Sequence, residues 1–178
     1  RLEGGKGTPN GPALITTNAV SPRLGPGFLV FLSSRTGGQG IWTLTAGTSR
    51  EIWHDARIRI TGAPTISPDG SRIAFTVSDG AHARLLAMDK DGAHLQVLTE
   101  SLALQGNPAW SPDGRWLAFV SSREGQLDAK DPQDAKKRGL GKGQIWLLPT
   151  AGGEAHQLTF MQHGASAPVW SPDSQRLV

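Results

Sequence analysis

No cysteine occurs in the 178 residues, which excludes a disulfide framework, a thiolate metal site and a cysteine nucleophile. No run of 18 apolar residues exists either, so no segment reads as a membrane-spanning helix and no membrane partner is expected. Lys and Arg number 18 against 15 Asp and Glu. That small excess is not gathered into a stripe, so no nucleic-acid partner is expected. The one dense charge cluster, "DAKDPQDAKKRG" at 128–139, mixes both signs and reads as a solvated loop. An initiator Met and an apolar signal core are both missing from the opening "RLEGGKGTPNG", and the chain stops on "SQRLV" inside a repeat. Both ends therefore read as cuts in a longer protein, and the compartment stays open.

What is present is turn chemistry. Gly 23 and Pro 12 are high together, yet they sit at spaced positions, which predicts many short strands with tight connections. The turns repeat. Ser67-Pro68, Ser111-Pro112 and Ser171-Pro172 recur, with a worn earlier copy at Ser21-Pro22. The spacings are 46 residues (21 to 67), 44 (67 to 111) and 60 (111 to 171). The last interval carries the charged insert, within 125–143, and removing roughly 16 residues of it restores the period of about 44 that four-stranded propeller blades show.

Within one period, "PAW" is a short extended run ending at the turn. In "SPDG", Pro pre-sets φ, Asp caps the turn with its side chain, and Gly takes the position that needs φ > 0. "RWLAFVSS" follows, with Leu117 and Phe119 on one face and Ala118 and Val120 on the other. Such a strand, apolar on both faces, belongs between two sheets. "GQIWLLPT", the Gly-Gly hairpin signal in "AGGE", and "AHQLT" complete the unit. "GIWTLTAGTSREIW" (40–53) and "RLLAMDKDGAHLQVLT" (84–99) keep the same grammar, and helical periodicity is missing outside the insert.

These features predict an all-β chain: a β-propeller of four-stranded antiparallel blades, incomplete, with about three blades and the start of a fourth. Residues 1–20 read as an irregular segment or the end of a preceding blade. The partial propeller then covers 21–178, with blades at about 21–61, 62–100, 101–160 and 161–178. Blades stack because one sheet cannot bury both of its faces alone. Closed propellers use four to eight blades, so this arc is expected to be a piece of a larger ring.

"PAWSPDGRWLAFVSSRE…QIWLLPTAGGEAHQLT" resembles the WD40-like (TolB/PD40-type) repeat of periplasmic TolB, of tricorn protease, and of the N-terminal propellers of prolyl-oligopeptidase-type serine peptidases. "QIWLLPTAGGEAHQLTFMQHGASAPVWSPDSQRLV" (144–178) is similar to propellers of acylaminoacyl-peptidase and dipeptidyl-peptidase relatives. The earlier part, "GIWTLTAGTSREIW…ISPDGSRIAFTVSDG…DGAHLQVLTESLALQGNPAWSPDG", is similar to propellers appended to bacterial Ser/Thr kinases and winged-helix regulators. The first resemblance implies a non-catalytic propeller that restricts access to an α/β-hydrolase catalytic domain of the same parent chain and contacts peptide substrate. The other implies a TolB-like binding or scaffold propeller with a protein ligand.

A peptidase of this type needs a G-x-S-x-G elbow, and the nearest match is "GASAP" (164–168), where Pro168 replaces the last Gly. Ser166 is therefore expected in a loop and not as a nucleophile. His54, His82, His94, His156 and His163 show no paired ligand spacing. His82, His94 and His156 are expected to be solvated near hairpins, and His163 to lie in the loop leading to the fourth blade. Asp69, Asp113 and Asp173 recur with the turn as caps, without a calcium-loop pattern. The turn at Asp173 is expected to be weaker, because Ser174 stands where Gly should be. Trp110 and Trp170, and likewise Trp42 and Trp146, hold repeating positions and are expected to pack between blades, whereas Trp53 and Trp116 are expected to be exposed. "GGQG" (37–40) and "GLGKG" (139–143) lack the phosphate-loop pattern. No catalytic, cofactor-binding or metal-binding residue and no cofactor is assigned.

Overall fold

Strands apolar on both faces need cover on both faces, and the chain supplies it by stacking one sheet on the next. The computed structural model describes residues 19–34, 38–101, 104–122 and 141–178. The expected segment 1–20, apart from its last two residues, and the insert 125–143, apart from its last three, lie outside the described residues.

The first sheet comprises β1 (Val20–Gly25), β2 (Phe28–Ser33), β3 (Gly40–Thr45) and β4 (Thr48–His54), paired in that order and antiparallel throughout. The second contains β5 (Arg59–Ile60), β6 (Thr65–Ile66), β7 (Arg72–Ser78), β8 (Ala83–Asp89) and β9 (Gln96–Ser101). Its first strand is broken, because β5 and β6 both pair with β7 on either side of Gly62-Ala63-Pro64. Arg59 and Ile60, which the repeat spacing assigns to the end of the first blade, thus belong to the second sheet. The third sheet is β10 (Leu104–Trp110), β11 (Trp116–Ser121), β12 (Gln144–Pro149) and β13 (His156–Gln157), again in sequence order. A fourth sheet is begun by the antiparallel bridge Trp170↔Leu177. Among the described residues there is no helix. The chain is an incomplete β-propeller.

Neighbouring sheets converge through their first strands: β1 meets β6, and β10 meets β6 and β7. At this crowded axis Gly62 is obligatory, since a Cβ there would stand 2.4 Å from the Gly106 carbonyl oxygen. Two hydrogen bonds join the same places. The Ala63 amide donates to Asn107 Oδ1 at 2.7 Å, and Thr76 Oγ1 donates to the Gly106 carbonyl at 3.2 Å.

Alternation along each second strand sends successive side chains to opposite neighbours. Ile73, Phe75 and Val77 join Val30, Leu32 and Ile41 of the first sheet in one core, whereas Ala74 faces the third sheet. Leu117 and Phe119 point back to the second sheet, and Ala118 points on toward Trp170 and Leu177. Phe31, Phe75 and Phe119, 44 residues apart, are all buried to 1% or less. Each such side chain contributes roughly 1.5–3 kcal/mol by leaving water.

The first repeat corrects the sequence reading. Ser21-Pro22 forms no turn there. It lies within β1, at an irregularity of register between Val20 and Arg23 where Ser21 has φ 52°. Proline has no N–H for a ladder and is tolerated at such bulges. The turn between β1 and β2 is Pro26-Gly27, with Gly27 at φ 77°. Counted from the strand position shared by Phe28, Arg72 and Trp116, both intervals are 44 residues.

Candidate functional site

The chemistry-bearing side chains gather at one end of the arc, where the Ser-Pro-Asp turns meet the outer hairpins. In the second sheet, Ser67 Oγ donates to Asp69 Oδ1 at 2.5 Å and accepts from the Arg72 amide at 2.9 Å. Asp69 also accepts from the Ser71 amide and hydroxyl, at 3.1 and 2.7 Å. These donors, led by the Ser67 hydroxyl and then the Ser71 hydroxyl, lower the Asp69 pKa to about 2. Ser111 and Asp113 repeat the arrangement with the amides of Arg115 and Trp116, and the Ser111 hydroxyl is the main cause of the lowered Asp113 pKa. The caps were legible from sequence. The serine, which links Asp to the amide five residues from its own position, was not singled out, although its recurrence was the available signal.

Each turn is tied to the outer hairpin of its own sheet. The Lys90 amide donates to the Ser71 carbonyl at 2.9 Å, and Thr150 donates through its amide to Arg115 O and through Oγ1 to Gly114 O at 2.7 Å. Between the second and third sheets this end opens into a cleft of about 260 Å³, whose lining includes Arg72, Val97, Trp110, Pro149 and Gly153.

The fourth turn differs from expectation. Ser171 and Asp173 keep the full network with Gln175 and Arg176, and Ser174 takes φ 60°, the conformation that Gly114 takes at 74°. Ser174 also gains a bond that glycine cannot make: its Oγ accepts the Asp113 amide at 3.0 Å. Trp170 Nε1 donates to the Ala109 carbonyl at 3.1 Å, a second tie to the third sheet. This copy of the turn is a staple between sheets, not a weakened corner.

Trp53 and Trp116 also depart from the reading. Trp53 joins the core between the first two sheets, its ring tilted on Phe75 at 5.1 Å. Trp116 joins the apolar cluster facing the fourth sheet and meets the His156 ring edge-on at 5.5 Å. Both are half-buried because their strand positions face a neighbouring sheet. Trp146 packs between the second and third sheets, and Trp42 stacks on Phe31 at 6.5 Å.

The remaining candidates stay apart. Ser166 is exposed, followed by Ala167 at φ 52° and by Pro168. His163 is exposed in the same connection, and His82 is exposed beside Asp79. His94 is exposed at φ 51°, and its Nδ1 lies 2.6 Å from Asp89 Oδ2, a hydrogen bond that raises its pKa. His54 Nε2 is buried near Gly38, with no hydrogen-bond partner among the described residues. Gly37 of "GGQG" and residues 139–140 of "GLGKG" lie outside the described residues. Among the described residues, no three His, Asp or Glu side chains are grouped as metal ligands.

Gln144 was missed by the sequence reading. It is 3% exposed. Its Nε2 donates to the Met161 carbonyl, and its Oε1 accepts from the Met161 amide and from Thr159 Oγ1, all at 2.8–2.9 Å. It thereby fixes the connection out of the third sheet.

Residues 15–130 match the family described as TolB beta propeller domain, PD40. The chain is 33% identical over 121 residues to the uncharacterized peptidase YuxL of Bacillus subtilis, covering 65% of this chain and 16% of that protein. It is 30% identical over 124 residues to the Tol-Pal system protein TolB of Desulfosudis oleivorans, covering 62% and 28%. The crystal structure of TolB from Acinetobacter baumannii superposes with a TM-score of 0.73 at 22% identity, over 94% of this chain and 39% of that one. The matched part is thus under a third of either curated relative.

Proposed function

The chain belongs to the PD40 family of TolB beta propeller domains, and from that premise we propose that it is part of the non-catalytic propeller of a prolyl-oligopeptidase-type serine peptidase. In this reading the propeller stands over an α/β-hydrolase domain of the same parent chain, restricts access to it and contacts peptide substrate. The observation that carries the reading is the 33% identity to a peptidase over 121 residues. The placement of Ser166, exposed and followed by Ala167-Pro168, supports leaving the nucleophile to another domain.

The test is to treat the complete gene product with a fluorophosphonate, locate the label by peptide mapping, and assay chromogenic peptidyl substrates. The expected result is hydrolysis, with the label on a serine outside residues 1–178. Absence of both label and hydrolysis contradicts the reading. It would favour the second one, a TolB-like propeller that binds a protein ligand, free-standing or attached to a kinase or winged-helix regulator. That alternative draws on the 30% identity to TolB.

A further inference from the structure

One strand position, immediately before the core residues of each second strand, faces the next sheet along the arc. Phe28 fills it in the first sheet and packs into the core shared with the second. Trp116 fills it in the third sheet and packs toward Trp170 and Leu177. In the second sheet the residue is Arg72, and the cleft of about 260 Å³ lies where the aromatic plug is missing.

Arg72 is half-buried. Among the described residues its guanidinium has no hydrogen-bond or ion-pair partner, unlike that of Arg84, which meets both Asp79 and Glu100. On the facing wall, supplied by the third sheet, the buried indole N–H of Trp110 has no acceptor among the described residues, whereas its counterpart on Trp170 donates to Ala109 O. Val97, Leu98, Leu117, Leu148 and Pro149 make the apolar part of the lining, with Val97 55% exposed, and the polar side chains of Gln96 and Thr150 stand beside them, the Thr150 hydroxyl already donating to the Gly114 carbonyl. Asp69 and Asp113 border the adjoining hollow with Arg72, but both Asp69 oxygens and Asp113 Oδ1 already accept from hydroxyls and amides of their own turns, and Asp113 Oδ2 lies 3.6 Å from Arg115 Nε. A half-buried guanidinium without a partner above an apolar floor is complementary to a carboxylate attached to an aliphatic group.

We propose that this cleft between the second and third sheets binds a peptide carboxylate flanked by an aliphatic side chain, with Arg72 as its charge partner. The inference stands on the cleft alone and does not require a peptidase. The carboxylate can come from a chain terminus or from an acidic side chain, and the probes separate these sources. The complete gene product is titrated calorimetrically with N-acetyl-leucine and its amide, and with N-acetyl-Asp-Leu-amide and N-acetyl-Asn-Leu-amide. At least one carboxylate probe should bind about tenfold or more tightly than its neutral partner, and the member of the pair that does so identifies the source. Arg72→Met should abolish the preference while leaving the melting temperature in place. Val97→Asp, at an exposed position, should abolish it independently should the first variant not fold. Equal binding of acid and amide, no saturable binding of any probe, or a preference that survives a folded Arg72→Met variant would overturn the proposal.

Discussion

Asp69 shows what one side chain contributes to this architecture. The turn must reverse the chain between two strands without leaving amides unbonded, and a short carboxylate held by a serine hydroxyl satisfies several donors at once. Because those donors favour the ionised form, the Asp69 pKa falls from the ordinary 3.8 to about 2. A depressed folded-state pKa contributes stability that is present above the unfolded value and lost as pH falls through the folded one. The Asp69→Asn variant should therefore be less stable than the parent by roughly 1 kcal/mol above pH 5, the site being exposed and screened. The difference should shrink between pH 4 and pH 2. Thermal melts across that range check it, and a difference that persists unchanged at pH 2 would contradict the assignment.

Hairpins and turns were the elements most legible in the sequence, because their chemistry is local. Pro, Asp and Gly in fixed order dictate dihedrals without reference to the rest of the chain. The strand faces around Leu117 and Ala118 were legible for the same reason, since alternation follows from the pleat. Tertiary encounters were not. Ser21-Pro22 matches the turn dipeptide, but it forms a bulge because the pairing of β1 with β2 places the reversal at Pro26-Gly27. Trp53 and Trp116 were misjudged because their burial depends on which neighbouring sheet their strand faces. Gln144 and Ser174 carry no local pattern, and their roles arise only where the connection at 159–161 and the turn at 113 come within reach. The cleft at Arg72 was likewise invisible, since its shape needs two sheets.

The turns themselves separate local from tertiary constraint. Gly70 and Gly114 share a left-handed conformation, at φ 71° and 74°. A Cβ on Gly70 would lie 2.7 Å from Pro26 Cδ in the neighbouring sheet, whereas on Gly114 the nearest atom, Pro68 Cδ, is 3.9 Å away. Gly114→Ala should cost about 1–2 kcal/mol, the dihedral penalty alone, and Gly70→Ala clearly more. Urea denaturation of the two variants measures this. Equal losses would mean that the second turn does not press on the first sheet.

At the scale of the whole molecule, the fold is a row of sheets each hiding an apolar face on the next, converging at Gly62 and Gly106 and stapled at Ser174 and Trp170. Length limits what one sheet can bury, so repetition replaces a single central core. Stacking of neighbouring sheets is the claim on which the reading of the turns, the cleft and the propeller role depends. It is tested most directly by a double-mutant cycle between Trp53 of β4 and Phe75 of β7, residues of different sheets whose rings lie 5.1 Å apart. Trp53→Leu, Phe75→Leu and the double variant are compared by equilibrium denaturation. Face-to-face stacking predicts a coupling energy of about 0.5–1.5 kcal/mol. Additivity to within about 0.3 kcal/mol, as for residues that do not touch, would contradict it.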